Sequence, residues 1–160
     1  MQIRYANNDV SDEDGYGAAM YFAGSWVTVK NVLVAGCYAT NGPAIYSSDG
    51  EVTFENCIFH NNETCRPNDE DYGIAYCEGG TLSFDHCDFL HNAGYAIVNA
   101  GGDEIKIDNS VFYANMRQAG IDDTNDKEDK AQVAFVGELD AKALTCCTEN
   151  SLEDLTDVHS

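Results

Sequence analysis

The chain has 160 residues, which is enough for one domain and too few for two well-packed ones. Its 28 Asp and Glu residues outnumber its 8 Lys and Arg residues, giving a formal net charge of −20. Such a surface repels phosphate backbones and anionic lipid headgroups, so we expect no nucleic-acid partner. The sequence also contains no run of about 18 apolar residues, so we expect no membrane insertion.

Two short motifs recur four times in the same order along the chain. The first resembles Ala-Ile-Tyr and occurs at residues 19–21, 44–46, 74–76 and 96–98. The second alternates apolar and polar residues, continues with Asn or His, and occurs at residues 27–34, 52–59, 82–89 and 105–112. Successive copies of the second motif begin 25, 30 and 23 residues apart, so the sequence predicts a repeat architecture.

Each repeat unit contains three short strands and no space for a helix. Its apolar residues alternate with polar ones, which is the period of a β-strand. Units of about 20 to 30 residues with such strands are typical of a solenoid in which every strand pairs in parallel with its counterpart one coil away. The sequence therefore predicts an all-β protein, a parallel β-helix of about four full coils with partial coils at both ends.

The alternation also predicts which side chains face the core. Val52, Phe54, Cys57 and Phe59 all point inward if Asn56 occupies a corner and resets the alternation. Asparagine tolerates the left-handed backbone conformation of a tight corner. We therefore predict a structural corner column with one residue per coil, formed by Asn31, Asn56, His86 and Asn109.

Two tetrapeptide patterns connect the chain to a known group of proteins. They are Gly-x-Ala-Ile at residues 42–45 and 94–97, and Phe-x-x-Asn at residues 59–62, 89–92 and 112–115. These patterns resemble the paired repeats of polymorphic outer-membrane proteins and related right-handed β-helix surface proteins. The resemblance implies a right-handed helix that acts as a non-enzymatic cell-surface or extracellular module, mediating adhesion, assembly, or glycan and protein binding.

The organisation along the chain follows from the repeat. The clear repeats cover residues 17–115, although Val34 and Cys37 replace Phe and Asn in the first coil. A candidate fifth coil at residues 118–137 is interrupted by an acidic insertion. Residues 141–160 show no strand period and are predicted to form an irregular C-terminal cap or tail. We therefore assign the β-helix to residues 1–140.

The alternative function is a fragment of a carbohydrate-active β-helix enzyme, either a pectate-lyase-like polysaccharide lyase or a glycoside hydrolase. A lyase of that type needs clustered acids and a Lys or Arg base, but the clear strands contain only Lys30 and Lys106, two coils or more apart. The hydrolase pattern needs an acid pair, which Asp122 and Asp123 supply, with Gly-His-Gly and Arg-Ile-Lys segments that the sequence lacks. We therefore assign no catalytic residue and interpret the two acids as a solvated loop.

Acidic segments precede the Ala-Ile-Tyr strand in two of the units. Asp12 and Asp14 lie before the first of these strands, and Asp69 and Asp71 lie before the third. Both segments are expected to protrude from the same edge of the solenoid, where their oxygen atoms suit calcium. Calcium is the one cofactor that the sequence suggests, and none is required. We favour the interpretation that these segments are solvated loops that discourage edge aggregation.

Seven cysteines leave at least one thiol unpaired in a monomer. The spacing of Cys57 and His60 suggests zinc, but strand alternation places Cys57 inward and His60 outward. We interpret Cys57 and Cys87 as small buried hydrophobic residues. Cys65 and Cys77 lie in loop or strand-end positions and are the predicted candidates for a disulfide.

Tyr21, Tyr46 and Tyr76 occupy the same position in successive units and predict a column. An aromatic stack and an exposed glycan-binding platform are both compatible with this column, and we favour the stack. Asn62-Glu63-Thr64 is a sequon for N-glycosylation, which matters only in a chain secreted by a eukaryote.

The register predicts an open N-terminal end. Residues 5–8 match residues 59–62 position by position, so the chain begins in the last third of a coil. The strand at residues 27–29 then lacks a complete partner on one side, and we expect a protein partner or further β-helix coils there. The first residues lack the apolar run of a signal sequence, so an extracellular or cell-surface location requires a processed chain or a segment of a larger protein.

Overall fold

The computed structural model describes residues 1–8, 15–66 and 72–115, together with two strands at residues 135–136 and 147–148. These residues form short β-strands and no helix. The strands are β1 (Gln2–Arg4), β2 (Asn7–Asn8), β3 (Tyr21–Phe22), β4 (Ser25–Lys30), β5 (Leu33–Ala35), β6 (Tyr38–Ala39), β7 (Ile45–Ser47), β8 (Gly50–Glu55), β9 (Ile58–His60), β10 (Glu63–Thr64), β11 (Gly73–Cys77), β12 (Thr81–Asp85), β13 (Asp88–Leu90), β14 (Tyr95–Asn99), β15 (Glu104–Asp108), β16 (Val111–Tyr113), β17 (Phe135–Val136) and β18 (Cys147–Thr148).

The strands pair into four sheets in which neighbours are parallel. We name them sheet 1 (β3, β7, β11, β14, β17), sheet 2 (β4, β8, β12, β15), sheet 3 (β1, β5, β9, β13, β16, β18) and sheet 4 (β2, β6, β10). The chain visits the sheets in this order, so successive strands wind into coils and form the parallel β-helix that the sequence predicts. Sheet 4, with its two-residue strands, is an addition to the three strands per coil expected from the sequence.

Two columns of phenylalanine rings stack inside the solenoid. Phe54 pairs in register with Phe84, and their ring centroids lie 5.4 Å apart at an interplanar angle of 12°. Phe59, Phe89 and Phe112 form the second column, with centroid distances of 4.6 Å and 5.0 Å. All five side chains are buried. Burying one such ring contributes about 1.5–3 kcal/mol relative to leaving it exposed, so these columns stabilise the stacking of coil on coil.

The corner between sheet 2 and sheet 3 has a left-handed backbone. Its residues have φ angles of 56°, 52°, 53° and 49°, in the order Asn31, Asn56, His86 and Asn109. This is the conformation expected of the predicted corner column. The side chains that the sequence places inward on either side of the corner are all buried, namely Val52, Phe54, Cys57 and Phe59.

A second left-handed corner, which the sequence did not predict, lies between sheet 3 and sheet 4. It is formed by Tyr5, Gly36, Asn61, His91 and Ala114, with φ angles between 51° and 65°. These residues share no side-chain chemistry, whereas the first corner contains only Asn and His. At both of these corners the chain therefore turns through a single left-handed residue.

Two further strands continue the solenoid beyond residue 115. β17 pairs with β14, and β18 pairs with β16. β17 falls within the predicted fifth coil at residues 118–137, whose other residues lie outside the described ones. β18 falls within residues 141–160, so strand pairing extends into the segment for which the sequence predicts no strand.

Candidate functional site

A ladder of buried asparagines follows the second corner. Asn62 Nδ2 donates to Val34 O at 3.2 Å, and Asn92 Nδ2 donates to Phe59 O at 3.0 Å. The backbone N–H of each asparagine donates to the Oδ1 atom one coil later, at 2.9 Å from Asn62 to Asn92 and at 3.2 Å from Asn92 to Asn115. The Phe-x-x-Asn pattern was the sequence signal for this ladder. Its role is structural, because it satisfies backbone groups that would otherwise be buried without a partner.

The asparagine ladder makes the sequon inaccessible. Asn62 is fully buried. Its Nδ2 atom donates both to Val34 O and to Asn92 Oδ1, the latter at 3.1 Å. Glycosylation requires the same nitrogen to face solvent, so the folded chain is not a substrate for modification at Asn62.

Cys57 and Cys87 follow the first corner in neighbouring coils. Both are buried, and their Sγ atoms lie 3.4 Å from Glu55 O and 3.5 Å from Phe54 O, respectively. A hydrogen bond between the two thiols lowers the pKa of Cys57 and raises the pKa of Cys87. His60 is only half-buried at the end of β9, so it does not share the inward face with Cys57. Among the described residues, no group of three or more His, Cys, Asp or Glu side chains is arranged to hold a metal ion.

The structure does not contain the predicted disulfide between Cys65 and Cys77, because both are free thiols. Cys77 lies in sheet 1 with its Sγ atom 3.4 Å from Gly79 O, and burial raises its pKa to about 11. Cys65 follows β10 of sheet 4, with its Sγ atom 3.9 Å from Thr40 O. The two side chains extend from different sheets toward different carbonyls, which is the physical reason that they form no bridge.

The tyrosine column forms a stack. The ring centroids of Tyr21 and Tyr46 lie 5.1 Å apart and those of Tyr46 and Tyr76 lie 5.4 Å apart, both at an interplanar angle of 12°. Tyr46 is 4% exposed and donates its hydroxyl to Glu78 Oε2 at 2.7 Å, and burial raises its pKa. A sugar ring needs a free aromatic face, but neighbouring rings cover both faces of Tyr46. This geometry favours the aromatic stack over a glycan platform.

The two lysines considered as catalytic bases are both engaged in ion pairs. Lys30 Nζ lies 2.6 Å from Glu55 Oε2, and Lys106 Nζ lies 2.7 Å from Glu104 Oε2. They occupy β4 and β15, the first and last strands of sheet 2, so the fold does not bring them together. The acid pair at residues 122–123 lies outside the described residues.

The candidate calcium ligands also lie outside the described residues, namely Asp12, Asp14, Asp69 and Asp71. The strands that follow the two acidic segments are described. These strands are β3 and β11, which lie two coils apart in sheet 1. The segments therefore lead into the same sheet, as the repeat register predicts, and calcium binding stays a prediction.

The N-terminal end of the solenoid exposes a side chain that has a core position. Val27 pairs in register with Val52, Val52 with Leu82, and Leu82 with Ile105. The exposed fraction of Val27 is 38%, whereas its three counterparts are 0%, 0% and 1% exposed. No described strand lies on the outer side of β4. We call this outer side of β4 the N-terminal edge.

The backbone at the N-terminal edge presents hydrogen-bonding groups to the open side. Asn31 N donates to Glu55 O on the neighbouring strand β8. The N–H and C=O groups of a trans peptide point in opposite directions, so the Lys30 carbonyl points away from β8. Strand alternation gives the backbone groups of Thr28 the same direction as those of Lys30. The edge therefore has the donors and acceptors that a further strand requires.

Exposed large hydrophobic side chains concentrate at the same end. Five of the seven that the described residues contain are Met1, Tyr5, Tyr21, Trp26 and Val27. Trp26 is 76% exposed on the outer face of β4. Arg4 and Lys30 place positive charge near this end of a chain whose net charge is −20. A concentration of exposed apolar side chains at one end is a feature of interaction sites.

Comparison with known proteins gives one match. A family model described as "right handed beta helix region" matches residues 2–133. No curated protein and no solved structure matches the chain. The matched range includes the strands from β1 to β16 and therefore strands of all four sheets. In the part of the chain that the structure describes, no helix has the length and apolar character needed to span a membrane.

Proposed function

Because the chain belongs to the right-handed β-helix family, we propose that it is a non-enzymatic extracellular or cell-surface module that assembles with a protein partner through the N-terminal edge. The observation that supports this most directly is the 38% exposure of Val27, whose in-register counterparts on β8, β12 and β15 are buried. An apolar side chain at a core position gains stability when another coil removes it from water.

The partner adds a strand parallel to β4, so backbone hydrogen bonds supply affinity and side-chain columns supply specificity. The register defines what the added strand needs. It carries apolar residues over Val27 and Val29, which continue the inward columns of sheet 2. It carries an acidic residue beside Lys30. The Lys30 ammonium then lies between this acid and Glu55, with which it already pairs. Trp26 provides a large exposed aromatic contact, and tryptophan is enriched among the residues that dominate binding energies.

The contacts of the described residues support binding rather than catalysis. A lyase base must be free to take a proton from its substrate. Lys30 and Lys106, the lysines of the clear strands, are instead held by carboxylates at 2.6 Å and 2.7 Å. Their separation across sheet 2 also leaves each without the other as a second cationic group.

Light scattering on the purified chain over a wide concentration range tests the proposal, because other copies are the partner strands available in that sample. We expect association that grows with concentration. The variant Val27→Lys places a charge where a covering coil would bury it, so it should abolish the association. The matched control Thr28→Lys adds the same charge on the outer face of the same strand and should leave the association intact.

Amide exchange on the same samples gives an independent readout. The Thr28 amide points to the open side of β4, so it should exchange rapidly in the dilute chain and become protected on association. A chain that stays monomeric over the whole range with a protected Thr28 amide would show that the edge is already covered, and the proposal would be wrong. Equal loss of association in the two lysine variants would show that the added charge alone prevents association. This result would also contradict the proposal.

A further inference from the structure

The outer face of sheet 3 differs from the outer face of sheet 2. Strand alternation points every second residue of a sheet toward solvent. In sheet 2, eleven of the twelve outward positions are polar or charged, and Trp26 is the exception. In sheet 3, six of the ten corresponding positions from β1 to β16 are apolar: Ala35 is buried, and the other five are at least partly exposed, namely Leu33, Ile58, Leu90, Val111 and Tyr113. The outer face of sheet 2 is thus polar, whereas most outward positions of sheet 3 are apolar.

These apolar side chains lie in two neighbouring register columns of sheet 3, which we call the stripe, and Asp88 and His60 are the polar members of these columns after β1. Leu33 pairs in register with Ile58, so the two lie one coil apart, about 4.8 Å along the axis. Ile58 and Tyr113 are 39% and 46% exposed, respectively. In the part of the chain that the structure describes, they are the exposed large hydrophobic residues that do not belong to the N-terminal end. The stripe is therefore a surface separate from the N-terminal edge.

A groove of about 440 Å³ lies at the margin of the stripe. Leu33 and Ile58 supply apolar walls from the stripe itself, and Val32 and Met1 add two more, so the groove adjoins the N-terminal end of the solenoid. The corner residues Asn31 and Asn56 border the groove with polar side chains. The groove has room for an apolar side chain and polar groups that can accept or donate hydrogen bonds beside it.

One carboxylate interrupts the stripe. Asp88 lies in register between Ile58 and Val111, so apolar residues precede and follow it in its column. Burial raises the pKa of its carboxyl group. The ion pairs that the structure describes do not include Asp88. A carboxylate that is partly removed from water gains most from a cation brought by a partner, because the partner then offsets the lost hydration.

We propose that the outer face of sheet 3 binds a cationic, apolar protein segment, which places a Lys or Arg on Asp88 and apolar side chains on Ile58 and in the groove. Charge complementarity argues for this partner, because the chain has a net charge of −20 and Asp88 is the acid within the stripe. Asp88 and Ile58 lie on sheet 3 and not on β4, so variants at these two positions test this inference separately from the proposed function.

A synthetic peptide of alternating Leu and Lys is the probe, with an alternating Ser and Lys peptide of equal length as its control. Fluorescence anisotropy at physiological ionic strength measures both affinities, so that unscreened attraction to the acidic chain is reduced. We expect the Leu-Lys peptide to bind at least about tenfold more tightly than the Ser-Lys peptide, since the latter offers charge without apolar contact.

Three variants locate the binding. Asp88→Asn should lower the affinity for the Leu-Lys peptide about tenfold. Asp108→Asn, which removes the same charge from the outer face of sheet 2, should leave the affinity unchanged. Ile58→Ser should weaken binding while the thermal midpoint stays close to that of the parent chain, because Ile58 is exposed.

Equal affinities for the two peptides, or equal losses in the two Asp variants, would show attraction by net charge alone and would overturn the proposal. Concentration-dependent self-association that Ile58→Ser abolishes and Val27→Lys retains would assign the stripe to a second copy of the chain, and it would equally overturn the assignment to a cationic partner.

Discussion

Single residues with a left-handed backbone determine where each coil turns. A left-handed conformation costs a residue with a side chain about 1–2 kcal/mol, and a β-branched side chain fits it worst. Asn56 adopts φ = 52° with an exposed side chain, while its backbone N–H donates to Asp85 O at 3.0 Å. The backbone geometry, rather than a side-chain contact, therefore explains why this position suits asparagine.

The variant Asn56→Val should lower the free energy of unfolding by about 1–3 kcal/mol, because the branched Cβ clashes in the left-handed conformation. Chemical denaturation measures the change. Asn56→Gly is the matched control, since glycine adopts positive φ without strain, and it should remain closer to the parent chain. An unchanged stability in the valine variant would contradict the backbone explanation.

The first corner could be predicted from sequence and the second could not. Asn and His recur at one place in every unit of the first, so the residue type itself marks the left-handed position. At the second corner, Tyr5 and Ala114 adopt φ angles of 56° and 51° although neither residue type favours them. In three coils a buried asparagine follows this corner, whereas Tyr5 precedes Ala6 and Gly36 precedes Cys37, so neither the corner residue nor its successor recurs in every unit.

At the scale of the element, the asparagine ladder connects successive coils through the carbonyls of sheet 3 and through the other asparagines of the ladder. Asn92 has partners on both sides, since its Oδ1 atom accepts from Asn62 N and its Nδ2 atom donates to Phe59 O and to Asn115 Oδ1. Hydrogen bonds inside the protein also strengthen one another in a region of low dielectric constant. The ladder is therefore a line of contacts along the solenoid axis.

We expect Asn92→Ala to lower the free energy of unfolding by at least about 2 kcal/mol, because buried groups of Asn62 and Phe59 lose their partners and a cavity remains. Thermal and chemical denaturation both report it. Ser83→Ala, on the outer face of β12, is the control and should change stability by less than about 0.5 kcal/mol. A similarly small loss of stability in both variants would show that water molecules or a shift of the backbone replace the hydrogen bonds of Asn92.

The strands themselves follow from the sequence more readily than the contacts between them. Alternation predicted the strands of sheets 1, 2 and 3, but the strands of sheet 4 have two residues each, too few to show a period. The disulfide prediction failed for a related reason. The position of a cysteine within the repeat unit does not show which sheet it joins. Cys77 is buried in sheet 1, whereas Cys65 follows a strand of sheet 4.

At the scale of the whole molecule, the net charge of −20 opposes the compact state through self-repulsion. Raising NaCl from about 0.01 M to about 1 M shortens the screening length from about 30 Å to about 3 Å. We therefore expect salt to raise the melting temperature, by about 2–4 °C for each kcal/mol of repulsion that is screened. Thermal unfolding followed by circular dichroism measures this, and a midpoint that falls with salt would contradict the expectation.

The same titration tests the predicted calcium ligands. CaCl2 and NaCl at equal ionic strength screen charge to a similar degree, so a specific site appears as an extra rise with calcium. Replacing Asp12, Asp14, Asp69 and Asp71 together by Asn should remove that extra rise and leave the effect of NaCl. If the melting temperature of the parent chain rises equally with the two salts, the acids bind no calcium and the solvated-loop interpretation holds.

Stacking of like residues in register makes the coils exchangeable. Phe54 pairs with Phe84 in the next coil, and Phe89, in the same coil as Phe84, pairs with Phe112 in the coil after that. Each coil therefore presents to the next coil the surface that the previous coil presented to it. Deletion or duplication of one complete turn of the chain would rejoin surfaces that already fit, whereas a change of half a turn would bring one sheet over another. Insertions and deletions of whole coils are therefore the changes in length that this fold accommodates most easily during evolution.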